Sequence, residues 1–221
     1  MPNLDGLQVP GENGSTAVQL LILLTLIGFI PGLLFAVTGF TRILIVLGFV
    51  RNALGTPSMP PNQVLVGIAF FLSLFVMAPT LNQVNSVALK PFRAGEITQQ
   101  QAIERGLEPV RTFMFKQTRD GDLALFVKLA KLKRPETRAD IPTHVLVPAF
   151  VISELKTAFQ IGFLIFLPFL VIDMIISAVL MSMGMMMLPP VLISLPFKIL
   201  LFVLVDGWHL VTQSVVNSFN L

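Results

Sequence analysis

The chain alternates between long apolar runs and short punctuation. Residues Ala17 to Val37 carry no charge, and about 20 apolar residues cross the hydrocarbon core of a bilayer as a helix. Ser15 or Thr16 supplies an N-cap in front of that run, and Pro31-Gly32 predicts a kink or break near Ile30. The polar stretch Met1 to Gly14 holds only Asp5 and Glu12 as charges. It lacks the basic segment of a secretory leader, so the first run is expected to be retained. A second apolar run, Ile43 to Val50, is bounded by Arg42 and Arg51 and is too short to span by itself. The turn Leu54-Gly55-Thr56-Pro57-Ser58-Met59-Pro60-Pro61 starts the next helix, because Pro suits a first helical turn. That helix reads as Gln63 to Met77, ended or kinked near Pro79.

The middle of the chain changes period. Ile97 to Phe115 has apolar residues at Ile103, Leu107, Val110 and Met114, with Arg105, Glu108 and Arg111 between them. Asp120 to Leu132 sets Leu125, Phe126, Leu129 and Leu132 against Asp122, Lys128 and Lys131. This spacing predicts two amphipathic helices, each with one polar face. Lys131 to Arg138 is basic and contains Pro135, and Asp140 and Pro142 mark a boundary. The C-terminal arm begins near Val145 and is punctuated by Pro148, Pro168 and Pro189-Pro190. Helices are predicted over Ala149–Phe166, Leu167–Leu188 and Leu192–Val205, with a last short one reaching Phe219. Three regions follow: an N-terminal hydrophobic arm (1–89), a polar amphipathic middle (90–142) and a C-terminal hydrophobic arm (143–221).

Composition turns that pattern into a class. Of 221 residues, 54% are hydrophobic and only 12% are charged, whereas a soluble domain carries about 25% charged residues. The expectation is an all-α membrane protein. No cysteine is present, which excludes thiolate metal sites, iron–sulfur clusters and thiol nucleophiles. A formal charge of +3 is too small to argue for a nucleic-acid partner. Eleven of the 15 Lys and Arg and seven of the 12 Asp and Glu lie between Lys90 and Asp140, so the two arms flank one polar block.

The charges left in the arms are the informative ones. Arg42, Arg51, Glu154, Lys156, Asp173, Lys198 and Asp206 sit in apolar surroundings. Each costs about 2.5–3.5 kcal/mol at a bilayer centre on insertion scales, so such residues pair, reach water or avoid lipid. Glu154 and Lys156 are two apart and do not face each other on a helix. Their partners are expected elsewhere in the chain or in another chain. Orientation conflicts as well. The N-terminus lacks basic residues and is expected outside, and an even number of spans would then carry the basic block outside too, against the positive-inside rule. Pro and Gly breaks at membrane depth are tolerated where they are buried in protein or line a cavity. The chain is therefore expected to be buried in an assembly.

Chemistry-bearing motifs are sparse. Asp173 and Asp206 lack the Gly-x-Gly-Asp context of an intramembrane aspartyl pair, and Asp206 with His209 at i, i+3 can share a helix face without being catalytic. No His-Glu-x-x-His, phosphate-binding Gly loop or Gly-x-Ser-x-Gly occurs. No enzyme activity and no cofactor or metal are expected. Broken helices and buried charges are also the marks of a small ion-coupled transporter, although the chain is short and has no two-halved repeat. The tract Met181-Ser182-Met183-Gly184-Met185-Met186-Met187 holds five of ten methionines. It reads either as apolar helix filler or as a compliant surface that re-packs around different partners.

One resemblance covers about Leu20 to Trp208. TRILIVLGFVRNALGTPSMPPNQVLVGIAFFLSLFVMAP (Thr41–Pro79) and VPAFVISELKTAFQIGFLIFLPFLVIDM (Val147–Met174) resemble the two signatures of the FliP family. The likeness continues through MSMGMMMLPP and SLPFKILLFVLVDGW. KQTRDGDLALFVKLAK (Lys116–Lys131) is similar to the flagellar branch of that family rather than the virulence-secretion branch.

The resemblance implies broken helical hairpins that assemble into an oligomeric export-gate ring, pentameric in the family, much of it raised above the plane that hydropathy suggests. With FliQ-like and FliR-like subunits and other membrane proteins of the export apparatus, it would form the pore for unfolded flagellar proteins. Its place would be the bacterial cell membrane, in contact with lipid, at the flagellar basal body. The implied pore gasket maps to Met181, Met183, Met185, Met186 and Met187. Arg42, Arg51, Glu154, Lys156, Asp173, Lys198 and Asp206 become candidates for buried charge pairs within or between subunits.

Overall fold

The computed structural model describes residues 35–56, 58–132, 135, 137–185 and 187–219, with Val18, Leu20, Leu21, Leu24, Thr25, Gly28 and Gly32. Residues 1–35 and 36–221 are separate compact units. In the first, the described residues are helical, and Thr25 Oγ1 donates to the Leu21 carbonyl at 2.8 Å. The expected N-cap at Ser15 or Thr16 and the break near Ile30 lie outside the described residues.

The second unit is helical throughout its regular structure. Helix α1 (Phe40–Ala53) buries Ile43, Val46, Leu47 and Val50, an i, i+3, i+4, i+7 face. It contains the short run between Arg42 and Arg51. Its most extensive neighbour is α6 (Thr143–Ser182), where Leu146, Ala149, Phe150 and Ala158 are buried. Gly162 permits the close approach: a Cβ there would lie 2.5 Å from the Phe49 ring.

Helix α2 (Asn62–Val84) begins after Pro60-Pro61 and runs through Pro79. A π-helical turn (Asn85–Leu89) and the short α3 (Lys90–Arg93) extend it into one apolar segment of 32 residues. Of the two expectations at Pro79, an end or a kink, the end is corrected: the helix continues to Val84. Proline removes one N–H, here the donor to the Phe75 carbonyl, at about 3 kcal/mol in a helix interior. Val76, Met77 and Thr80 beside it are buried, and α4 (Gln99–Gln117) packs against both α2 and the π-helical turn, so tertiary contacts hold the helix together across the proline.

Helix α4 (Gln99–Gln117) starts on a capping box. Gln101 N–H donates to Thr98 Oγ1 at 3.3 Å, and Thr98 N–H donates to Gln101 Oε1 at 3.0 Å. Helix α5 (Asp120–Leu129) follows at once. Both expected amphipathic helices form, and their apolar stripes are only partly covered within the chain. Ile103 and Leu107 are exposed on α4, while Pro109, Phe113 and Met114 are buried. On α5, Leu125 and Leu129 are exposed and Leu123 is buried. The cause lies in the first turn of α5: Ser153 of α6 donates to Asp122 Oδ2 at 2.7 Å and accepts from Arg119 N–H at 3.1 Å. That docking rotates a polar residue inward and two leucines outward.

The two helices expected on either side of Pro168 are one, α6, with Pro148 and Pro168 inside it. Packing again secures both sides, Ala158 and Gly162 toward α1 and Phe169 toward Phe202, with ring centroids 6.3 Å apart. Forty residues make a helix about 60 Å long, twice a hydrocarbon core of about 30 Å. It ends at Gly184, where φ is +75°. Gly184 N–H donates to the Met181 carbonyl and Met185 N–H to the Leu180 carbonyl, both at 3.0 Å. This pair of bonds is a Schellman stop, and its left-handed position favours glycine. Helix α7 (Pro190–Leu204) returns antiparallel, and after a 67° bend α8 (Gly207–Asn217) ends the described chain near Phe219. By length and composition, α6 and the α2 segment can cross a membrane, and the bent pair α7–α8 forms a broken span or a re-entrant loop.

Candidate functional site

Two features can carry function: the turn between α6 and α7, and the charges inside the helical arms. At the turn, Met181 closes α6, and Met183, Met185 and Met187 follow it. Met181 and Met183 are exposed, and Met187 is exposed by 99%. Met185 is half-buried, and Met186 lies outside the described residues. The tract is a helix terminus and turn rather than the interior of a span, because Gly184 and Pro189-Pro190 stop and restart the helices around it.

The densest polar cluster centres on Arg42, only 1% exposed. Its Nε donates to Glu154 Oε2 at 2.9 Å, and its Nη2 donates to Glu154 Oε1. Nη2 also donates to Gln117 Oε1 at 3.0 Å. Nη1 donates to the Ser218 carbonyl at 2.8 Å and to Ser218 Oγ at 2.9 Å. All five N–H donors of the guanidinium are thereby used. The Phe219 ring lies 3.8 Å below the guanidinium carbon and stacks on Phe113, and Gln117 Nε2 donates to the Phe219 carbonyl at 2.7 Å. One arginine thus ties α1, α4, α6 and the segment after α8 together. A lysine, with three donors on a point charge, cannot reproduce that fork.

The second cluster joins α6 to α7. Lys198 Nζ donates to Asp173 Oδ2 at 2.6 Å, and Ser194 Oγ donates to Asp173 Oδ1. Ser194 and Lys198 are i, i+4 on α7, so they present one face, and both are buried. Arg51 lies in neither cluster. It donates to Asn62 Oδ1 and to the Pro60 carbonyl, and its buried Nε has no partner among the described residues. Lys156 and Asp206 are exposed, and neither side chain has a hydrogen bond or ion pair among the described residues. Asp206 is the N-cap of α8 rather than a residue within it, in the left-handed region, φ 50° and ψ 56°.

Sequence reasoning missed Gln117, Ser153, Ser194, Ser218 and Phe219. Arg42 and Ser218 are 176 positions apart, and nothing local marks either as the other's partner. The one legible signal was the Arg42 side chain itself, whose five donors need more acceptors than one carboxylate offers. Among the described residues, no group of three His, Cys, Asp or Glu is placed to hold a metal.

An all-helical membrane protein, apolar outside and cross-tied inside by arginine–carboxylate and lysine–carboxylate pairs, is the class that this fold defines. The sequence matches the FliP family over residues 23–215. It is 60% identical over 208 residues to the flagellar biosynthetic protein FliP of Bacillus subtilis (strain 168), covering 94% of each chain. The protein of that name from Pectobacterium carotovorum subsp. carotovorum is 56% identical, over 95% of this chain and 81% of the relative. The one from Borreliella burgdorferi is 46% identical, over 99% and 87%. The chain belongs to the FliP family of flagellar biosynthetic proteins, and none of these names denotes an enzyme.

Proposed function

We propose that this chain is a core subunit of the flagellar type III protein export gate. Several copies, with FliQ-like and FliR-like subunits, form the pore through which unfolded flagellar proteins pass, and the methionine turn is its gasket. The observation that carries this reading is the turn between α6 and α7. Met181, Met183 and Met187 are exposed at a Schellman stop, at the tip of a helical hairpin rather than along the side of a span. Copies arranged around an axis bring such tips together. Thioethers with three rotatable bonds re-pack around chains of varied sequence, and an apolar constriction resists water and ions. The Arg42–Glu154 and Asp173–Lys198 pairs hold each subunit's helices in register, since buried pairs specify arrangement more than they stabilise it.

The test replaces Met181, Met183, Met185, Met186 and Met187 together with alanine. Ion conductance of the membrane and native mass are then measured, with the chain expressed alone and with its FliQ-like and FliR-like partners. A discrete oligomer or mixed complex with raised leak is expected. An intact complex with neither leak nor altered export makes the chain a scaffold. A monomer in both preparations, with substrate-dependent flux from the chain alone, makes it a small ion-coupled transporter.

A further inference from the structure

Seven Lys, Arg, Asp and Glu residues lie in residues 42–89 and 143–221, and four of them pair within the chain. Arg51 has neutral acceptors. Lys156 and Asp206 remain, one cation and one anion, both exposed and without a partner among the described residues. Their surroundings are alike and their charges opposite. Lys156 sits in the stripe Ile152, Lys156, Phe159 and Phe163, whose spacing of 4, 3 and 4 lines one face of α6. The three apolar members are all exposed, Phe163 by 59%. Asp206 sits at the bend between α7 and α8, beside exposed Val203, Leu204, Val205 and Leu210, with Leu204 exposed by 73%. The left-handed backbone at Asp206 is a conformation that aspartate tolerates better than bulkier residues.

We propose that these two patches are the halves of one contact between copies of this chain: the Lys156 stripe of one copy receives the Asp206 corner of the next. The Lys156 stripe is bordered by a second cation, Arg119, which donates to Thr157 Oγ1 and Gln160 Oε1, whereas the Asp206 corner carries one carboxylate; the two patches are complementary in charge, and each copy satisfies the other's otherwise unpaired charge. Used head to tail, the contact is heterologous and closes into a ring or continues as a helix, whereas reciprocal use in a two-fold pair would stop at a dimer and give no ladder. The inference rests on the oligomeric reading above and deepens it by naming the residues that join the copies.

The chain has no cysteine, which makes the test direct. The full chain with Lys156→Cys and Asp206→Cys together is expressed with its partners and oxidised in membranes. A ladder of disulfide-linked oligomers is expected from the double variant, no ladder from either single variant, and dimers alone when the two singles are co-expressed. Native mass of the reduced double variant separates the possible failures. An oligomer without a ladder overturns this contact and leaves the oligomeric reading standing. A monomer from both the reduced double variant and the unaltered chain overturns both. The charge exchange Lys156→Asp with Asp206→Lys covers loss of assembly through the cysteines themselves. It should assemble better than either single reversal, and equal assembly of all three overturns the pairing.

Discussion

Glu154→Leu isolates what the Arg42 cluster contributes. In the native protein Glu154 accepts two of the five guanidinium donors, and both side chains are essentially inaccessible. Leucine leaves those two donors without an acceptor, in a site whose remaining partners are the Ser218 oxygens and the Gln117 amide. An orphaned buried donor costs about 1–3 kcal/mol, and stripping one member from a buried ion pair costs about 3–5 kcal/mol. The two routes agree on roughly 4 kcal/mol. Adding Arg42→Met removes the charge and leaves only the acceptors of Ser218 and Gln117 unpaired, a loss of about 1–2 kcal/mol. The double variant is therefore more stable than either single variant, with a coupling energy above about 3 kcal/mol. The assay is denaturation of the purified protein followed by Trp208, the only tryptophan, which packs edge-on against Phe202 at 5.3 Å. If both single variants and the double variant unfold within about 0.5 kcal/mol of the native protein, the cluster does not hold the helices and the reasoning fails.

Two further outcomes follow from packing. Gly162→Val places a Cβ 2.5 Å from the Phe49 ring and should cost about 1–3 kcal/mol by overpacking; Phe49→Ala in the same chain should recover part of that loss in the Trp208 unfolding curve. Phe219→Ala removes a buried ring stacked on Arg42 and Phe113 and should cost about 3–5 kcal/mol; limited proteolysis should cut α8 before α1, and cleavage unchanged from the native pattern would contradict the tie between them.

The corrections to the expected fold share a cause. Proline is a local signal, and at Pro79 and Pro168 it pointed to helix ends. Long-range packing beside each proline outweighs the lost hydrogen bond and the clash. Which residues of α4 and α5 are covered within the chain was likewise decided by long-range packing. Periodicity identifies an apolar stripe but not which neighbour covers it, and the Asp122–Ser153 bond turns α5 to bury Leu123 in place of Leu125 and Leu129. The Schellman stop at Gly184 was closer to the surface of the sequence, since glycine and the proline pair lie within six residues of each other.

By itself the sequence determined the class and the family. The scarcity of charge requires an apolar environment, and the confinement of most charge to residues 90–140 divides two hydrophobic arms. The long motifs around Arg42 and Glu154 are specific enough to identify relatives. The sequence also showed which charges are out of place in those arms. Only the tertiary structure decided how they are satisfied. Arg42 meets Glu154 across 112 positions and Ser218 across 176, while Asp173 finds Lys198 by the antiparallel return of α7. Lys156 and Asp206 find no partner among the described residues. The physical reason is that the cost of burying a charge is a property of the residue and its immediate surroundings, whereas its compensation depends on which helices the fold brings into contact.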